Sequence, residues 1–279
     1  MEYCYYLIDI GSANTKYKPF DYIIQNKKYK IYTFDPISDA YEKNIFTINN
    51  KFGLYDKNIT KPFYITKKDE LSSLIKPNYE LLKKFYNCDR FTITDKIKIN
   101  CKPFKDIYKN DYIDMVKIDT QGSEYEILKG FGDLLNKTKV IQTEIEFVQM
   151  YTKQKTFNDI NDYLRSYNFI LLKFERIVYA NKDEYYQYKF VNDSFGIITL
   201  KKLKNRSNNV LLTERDHIIK KLYKKDINNQ ENLDKLMILN SKINDIENFK
   251  NDTMMFGDAI FINKNFIDND ITEILLSQI

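Results

Sequence analysis

Apolar positions fall into short runs rich in Ile, Val, Tyr and Phe, set between stretches with helical spacing. The runs predict strands at 3–9, 29–34, 44–49, 114–119, 139–145, 169–175 and 195–200. The spacing predicts helices at 39–44, 68–86, 123–135 and 157–166. The last has an entry signal, since Thr156 can cap a helix whose Asp159 lies three residues on. Strands alternating with helices imply an α/β fold, a mostly parallel sheet with helices on both faces. About 65 residues separate the third strand from the fourth, more than a crossover needs. This insertion, about 50–113, carries two further short strands, FYIT (63–66) and RFTITD (90–95), and is expected above the ligand edge of the sheet. After about residue 204 the chain turns Lys/Asn/Asp-rich and helical, at 213–225 and 231–249. Leu233, Leu236, Met237, Ile243 and Ile246 form one apolar stripe, and the apolar run DAIFIN (258–263) follows. The expected organisation is a sheet domain over 1–204, complete by about Leu200, and a helical C-terminal annex over 205–279.

Composition narrows the function classes. The 279 residues, 43% hydrophobic, suffice for a full core. With 44 basic and 39 acidic side chains spread along the chain, a net charge of +5 is a matter of solubility, and no nucleic-acid partner is expected. No apolar run reaches the roughly 18 residues of a membrane span, and the N-terminus lacks the order of a signal peptide, so a cytoplasmic location is expected. Cys4, Cys88 and Cys101 make neither a metal-ligand pair nor a disulfide framework. The single histidine, His217, lies in the lysine-rich stretch RDHIIKKLYKK, which leaves little material for imidazole catalysis. No metal-ligand spacing is recognisable, and none is assigned.

The chemistry-bearing residues gather at predicted strand ends, where open α/β sheets bind their ligands. The first strand ends in LIDIGSANTK, with Asp9, Gly11, Ser12 and Asn14 in a turn into a helix. Gly11 lets the backbone approach a ligand, Asp9 can hold a cationic amino group or order the loop, and Asn14 can pair with a carboxylate. The turn lacks the glycine spacing of a dinucleotide site and the Gly-Lys-Ser/Thr of a P-loop. Asp35, 26 residues after Asp9 at the tip of the second strand, can accept both hydroxyls of a ribose, so the pair fits an adenosine ligand. The densest stretch is DMVKIDTQGSEYEILKGF (114–131), an apolar strand with Asp119 at its tip, a Gln121-Gly turn and a helix. Ser123 and Glu126 read as a capping box, and Glu124 and Glu126 as acids favoured by the helix dipole. The next strand brings Glu144 and Glu146. Were it the neighbour of the fourth, Asp119 and a glutamate would lie close, raising one pKa and supplying a base for a hydroxyl proton.

Taken together, IDIGSAN, TFDP, SSL (72–74), VKIDTQGSEYEILKG and TEIEFVQMYTKQKTFNDINDYLRSYNF resemble, in order and spacing, the FkbM family of S-adenosylmethionine-dependent methyltransferases. The resemblance covers residues 5 to about 200, and GDAIFIN (257–263) is similar to a C-terminal element of some members. It implies a Rossmann-like methyltransferase sheet of strand order 3-2-1-4-5-7-6 with an antiparallel seventh strand. It also implies transfer of a methyl group from S-adenosylmethionine to an oxygen, commonly a sugar or polyketide hydroxyl. By position, Asp9, Gly11, Ser12 and Asn14 would form the cofactor turn, Asp35 would be the ribose carboxylate, and Asp119 with Glu144 would face methyl transfer. Gln121, Glu146 and Tyr151 are expected on the acceptor side. Asp35 and Gln121 stand where many relatives carry Glu. The expected function is O-methylation of a carbohydrate or glycan hydroxyl. Its rivals are methylation of a nucleic acid or polyketide-like acceptor and a non-catalytic binding module. DPIS (35–38) lacks the rest of the Asn/Asp-Pro-Pro-aromatic tetrad of amino-methylating nucleic-acid enzymes, and the retained acids argue against a module.

Overall fold

The short apolar runs pair into two sheets. The computed structural model describes residues 3–11, 19–37, 46–85, 87–180, 185–192, 198–202 and 253–267. Its strands are β1 (Cys4–Ile10), β2 (Lys28–Phe34), β3 (Thr47–Asn50), β4 (Gly53–Leu54), β5 (Ile59–Thr66) and β6 (Ile93–Lys102), then β7 (Ile113–Ile118), β8 (Thr138–Glu146), β9 (Phe169–Ala180), β10 (Tyr185–Asn192), β11 (Ile198–Lys202) and β12 (Thr253–Asn263). Its helices are α1 (Asp21–Asn26), α2 (Tyr79–Leu82), α3 (Phe104–Ile107), α4 (Glu124–Phe131) and α5 (Phe157–Arg165).

The large sheet runs β3-β2-β1-β7-β8-β12-β9-β10-β11. Its first five strands are parallel to one another. Every residue of β7 is buried, as a central strand covered on both faces requires. On one side Ile8, Ile10, Val116, Ile118 and Ile141 pack with Phe104, Phe131 and α5, and Phe104 stacks on Phe131 at 4.2 Å between ring centroids. On the other side Leu7, Met115, Val140 and Ile260 pack against Phe20 and Ile23 of α1.

Strands β12, β9, β10 and β11 extend the sheet in antiparallel sequence. The sheet is thus mixed, with nine strands among the described residues, and it is not complete at Leu200. Among the described residues β11, which begins at Ile198 within the expected run, lies at the outer edge, while β12, more than fifty residues further on, pairs with both β8 and β9. Met254, Met255, Ala259, Ile260, Phe261 and Ile262 are all buried, and a run buried on both faces finds that cover only inside a sheet. The expected helices at 39–44, 213–225 and 231–249 fall outside the described residues.

The insertion forms its own sheet, β4-β6-β5, with β5 and β6 antiparallel. The expected helix over 68–86 is confined to α2 and a single 3-10 turn at Asp69–Leu71. Between them the backbone bridges outward, Tyr64 to Ser73 and Pro77 to Tyr151, and Pro77 has no amide to donate to a helix. This strap, 71–78, lies over the carboxyl ends of β7 and β8. Asn78 N donates to Met150 O at 2.8 Å, and Thr152 N to Lys76 O at 2.8 Å. Helix α5 begins with the expected capping box, Thr156 N donating to Asp159 Oδ2 at 3.0 Å. Helix α4 stops at Phe131 because Gly132 takes a φ of +54°.

Candidate functional site

Three parallel strands end side by side, and backbone hydrogen bonds stitch their tips together. Gly11 N donates to Phe34 O at 2.9 Å, and Asp119 N donates to Ile10 O at 3.0 Å. Gly11 has a φ of +76°, and a Cβ there would sit 1.8 Å from Asp119 O. The turn after β1 therefore touches the tip of β7 at a distance only glycine allows. Gly11→Ala is expected to cost on the order of 3 kcal/mol or more, from the unfavourable φ and the displaced backbone together. An unchanged denaturation midpoint would contradict this packing.

Asp9, fully buried, faces Lys117 Nζ at 3.5 Å, and Asp119 Oδ2 lies 3.9 Å from the same ammonium. Burial pulls the Lys117 pKa down, but the carboxylates of Asp9, Asp119 and Asp258 outweigh it and hold the lysine charged. Asp9 thus orders the strand ends through Lys117, a residue that sequence reasoning passed over as part of an apolar strand. Asp35 is buried at the tip of β2. Its backbone amide donates to Asn50 O at 3.1 Å, and its Oδ1 accepts the Ile37 amide at 2.8 Å in an Asx turn. Ser12 and Asn14 lie outside the described residues.

The second half of the site centres on Gln121. With a φ of +59°, Gln121 points its Nε2 between two carboxylates, donating to Glu144 Oε2 at 2.6 Å and Asp119 Oδ1 at 2.9 Å. The neighbouring places of β7 and β8 bring Asp119 and Glu144 together as the sequence suggested. The strap fixes Gln121 from above. Ser73 Oγ donates to Gln121 O at 2.6 Å, and the Tyr151 hydroxyl lies 2.9 Å from Leu71 O and 3.1 Å from Gln121 Oε1. Tyr151 is fully buried and touches the site through Gln121.

Glu124 departs from its expected place. Ser123 makes no capping bond, and Glu126 is not its partner. Glu124 Oε1 instead folds back to accept from Thr120 N at 2.8 Å, Thr120 Oγ1 at 2.9 Å and Gly122 N at 3.2 Å. Three donors on a turn that ends in glycine outbid the local capping pattern. The side chain thereby joins Glu144 and Glu146, and all three are buried. Burial lifts the Glu124 carboxyl to about 7 against the pull of those donors. Burial first, then Asp119, Glu146, Asp258 and Glu124, lift Glu144 well above the carboxylate range. Burial and the Glu124 charge do the same to Glu146, opposed by the neighbouring Gln154 amide.

These raised values fix the sign of a pH effect. A carboxyl that ionises later in the folded state than in the unfolded one binds protons preferentially when folded, so its stabilising contribution declines as pH rises through the interval. In metal-free buffer the protein is expected to lose on the order of 3 kcal/mol from Glu124 alone between about pH 4.5 and about pH 7, with Glu144 and Glu146 acting in the same direction above that. Thermal melts across that range provide the check. Melting temperatures rising steadily toward pH 8 would contradict the burial of these carboxyls.

Comparison with known families places this geometry. The family model described as "Methyltransferase FkbM domain" matches residues 9–171, more than half of the chain. No curated protein and no solved structure matches. The match spans Asp9, Asp35, Asp119, Gln121, Glu144, Glu146 and Tyr151, and the whole of the strap. The chain belongs to the FkbM methyltransferase family.

Proposed function

We propose that this FkbM-family methyltransferase moves the methyl group of S-adenosylmethionine to a hydroxyl of a carbohydrate or glycan. The observation that carries the reading is the pair Asp119 and Glu144, joined by the Gln121 amide beside the Gly11 turn. When bound, the cofactor supplies a methyl carbon on a positively charged sulfur. The residues present suit such a group. The Gly11 amide bond to Phe34 O sets Asp35 next to the glycine turn, the arrangement in which one carboxylate can take a ribose diol while the turn approaches the rest of the ligand. Asp9, spent on Lys117, orders the turn.

On the acceptor side, Asp119 stands at the mouth with 28% of its side chain exposed, and Glu144 lies behind it. With the cofactor bound, Asp119 and Glu144 would together take the proton of the acceptor hydroxyl as that oxygen is methylated. Holding the two reactants in line supplies much of the rate, and the carboxylate supplies a further general-base contribution. Gln121, held in its left-handed turn by Ser73 and Tyr151, keeps the two carboxylates at fixed spacing. Glu146, the last residue of β8, is buried beside Glu144.

Asp35→Ala is expected to weaken S-adenosylhomocysteine binding by about 2 to 3 kcal/mol, since charge-assisted hydrogen bonds to the ribose are lost. Asp35→Asn keeps an acceptor for the Ile37 amide and separates the turn from the charge. Calorimetry on both variants decides, and unchanged affinity in a folded Asp35→Ala protein would remove the ribose assignment. The acceptor class is tested by mass spectrometry of glycans from cells with and without the gene. The reading expects loss of one methyl group from a defined glycan, and identical glycan masses would count against it.

A further inference from the structure

We propose that Glu124, Glu144 and Glu146 form a site for one hard divalent cation, of the magnesium or manganese type, beneath the strap at the carboxyl ends of β7 and β8. Oxygens of the three carboxylates lie within 4.8 Å of one another, and the residues are 1%, 5% and 1% exposed. The cluster alone would not point to a ligand; an unpaired carboxylate oxygen in it does. Glu146 Oε2 is buried with no hydrogen-bond partner among the described residues. Gln154, also 1% exposed, has its Oε1 taken by the Tyr151 amide at 3.0 Å and turns its Nε2, a donor that cannot ligate a cation, toward the Glu146 carboxylate. Among the described residues, no lysine or arginine makes an ion pair with Glu124 or Glu146. The nearby Lys117 turns instead to Asp9 and Asp119. Buried carboxylates without a cation are costly, and they are relieved either by protons or by a metal.

The donor set and its support favour a metal of defined class. An all-carboxylate set suits magnesium, manganese or calcium and not the softer metals. Around magnesium adjacent ligands stand about 2.9 Å apart and opposite ones about 4.1 Å, and around calcium about 3.4 and 4.8 Å, so three oxygens within 4.8 Å of one another draw together to close on either ion. Two of the carboxylates are already oriented by hydrogen bonds, as ligating carboxylates usually are. Glu124 Oε1 is held by Thr120 and Gly122, and Glu144 Oε2 by Gln121. Gly122 keeps that turn close, since a Cβ there would stand 3.0 Å from both Gln154 Nε2 and the Tyr151 ring. Three protein ligands leave positions for water or for hydroxyls of the acceptor. That acceptor role rests on the proposed methyl transfer; binding of the cation does not.

The test is a manganese titration of the full chain at about pH 8, where protons compete least, with free Mn2+ followed by electron paramagnetic resonance. The expected result is one Mn2+ per chain, displaced by excess Mg2+ or Ca2+. Glu146→Gln and Glu124→Gln should each weaken binding by about 10-fold or more, and circular dichroism identifies the variants that remain folded. Absence of stoichiometric binding by the wild-type chain up to about 1 mM Mn2+ would overturn the site, as would wild-type affinity in either folded variant. Should neither variant fold, the wild-type stoichiometry alone decides. Parallel titration with S-adenosylhomocysteine keeps the two readings apart. A chain that binds manganese and not the cofactor product retains the site and loses the methyl-transfer reading, and the reverse result does the opposite.

Discussion

Glu144→Gln and Asp119→Asn are expected to leave cofactor affinity nearly unchanged while at least one lowers turnover by about 100-fold or more. Both substitutions keep the shape of the side chain and remove its ability to take a proton. The geometry makes the pair a unit. One Gln121 amide nitrogen donates to both carboxylates, so an amide placed in either position turns an acceptor partly into a donor facing Nε2. The losses should therefore not add in the double variant. Single-turnover rates at saturating cofactor make the measurement. Full turnover in both variants would send the proton elsewhere and leave the pair a structural feature of the strand ends.

Truncation before residue 253 is expected to abolish the folded state. The deleted segment includes β12, which bonds along its length to β8 on one side and β9 on the other. It buries Met254, Met255, Ile260, Phe261 and Ile262, each contributing roughly 1.5 to 3 kcal/mol by removal from water, a sum comparable with the entire net stability of about 5 to 15 kcal/mol of a domain. Reading the sheet as finished by Leu200 would instead leave a damaged but cofactor-competent domain. Expression of residues 1–252 and a denaturant titration distinguish the two. A soluble fragment with a cooperative transition would contradict the central place of β12. Phe261→Ala, expected to cost about 3 to 5 kcal/mol, gives the same answer without a truncation.

What the sequence disclosed and what it hid follow from the range of the interactions. β1, β7 and β8 were legible because parallel strands buried on both faces are near-continuous apolar runs between turns, and β2 and β9 because they are rich in β-branched and aromatic residues. Adjacent strand ends then follow, and with them the meeting of Asp119 and Glu144. β12 was readable as an apolar run, but its insertion between β8 and β9 is a pairing over more than a hundred residues that no local pattern encodes. Glu124 was assigned to the helix dipole because it falls in the first turn after Ser123. Its side chain obeys a competing local signal, the three donors of the Thr120–Gly122 turn. The strap failed as a helix for the reason visible at Pro77, and Ser73, noted only as part of a motif, proved to hold the carbonyl of Gln121. Lys117 was concealed by the apolar character of its strand, although a lone lysine two residues before an aspartate at a strand tip is a signal for such an ion pair.

The central claim is that the strand ends at Gly11 and Asp35 form a site for S-adenosylmethionine, with Asp119 facing it from the acceptor side. Calorimetric titration of the full chain with S-adenosylhomocysteine tests it most directly. The account predicts saturable heat at one molecule per chain, lost in large part with Asp35→Ala. A folded wild-type protein that releases no heat with this ligand would contradict it.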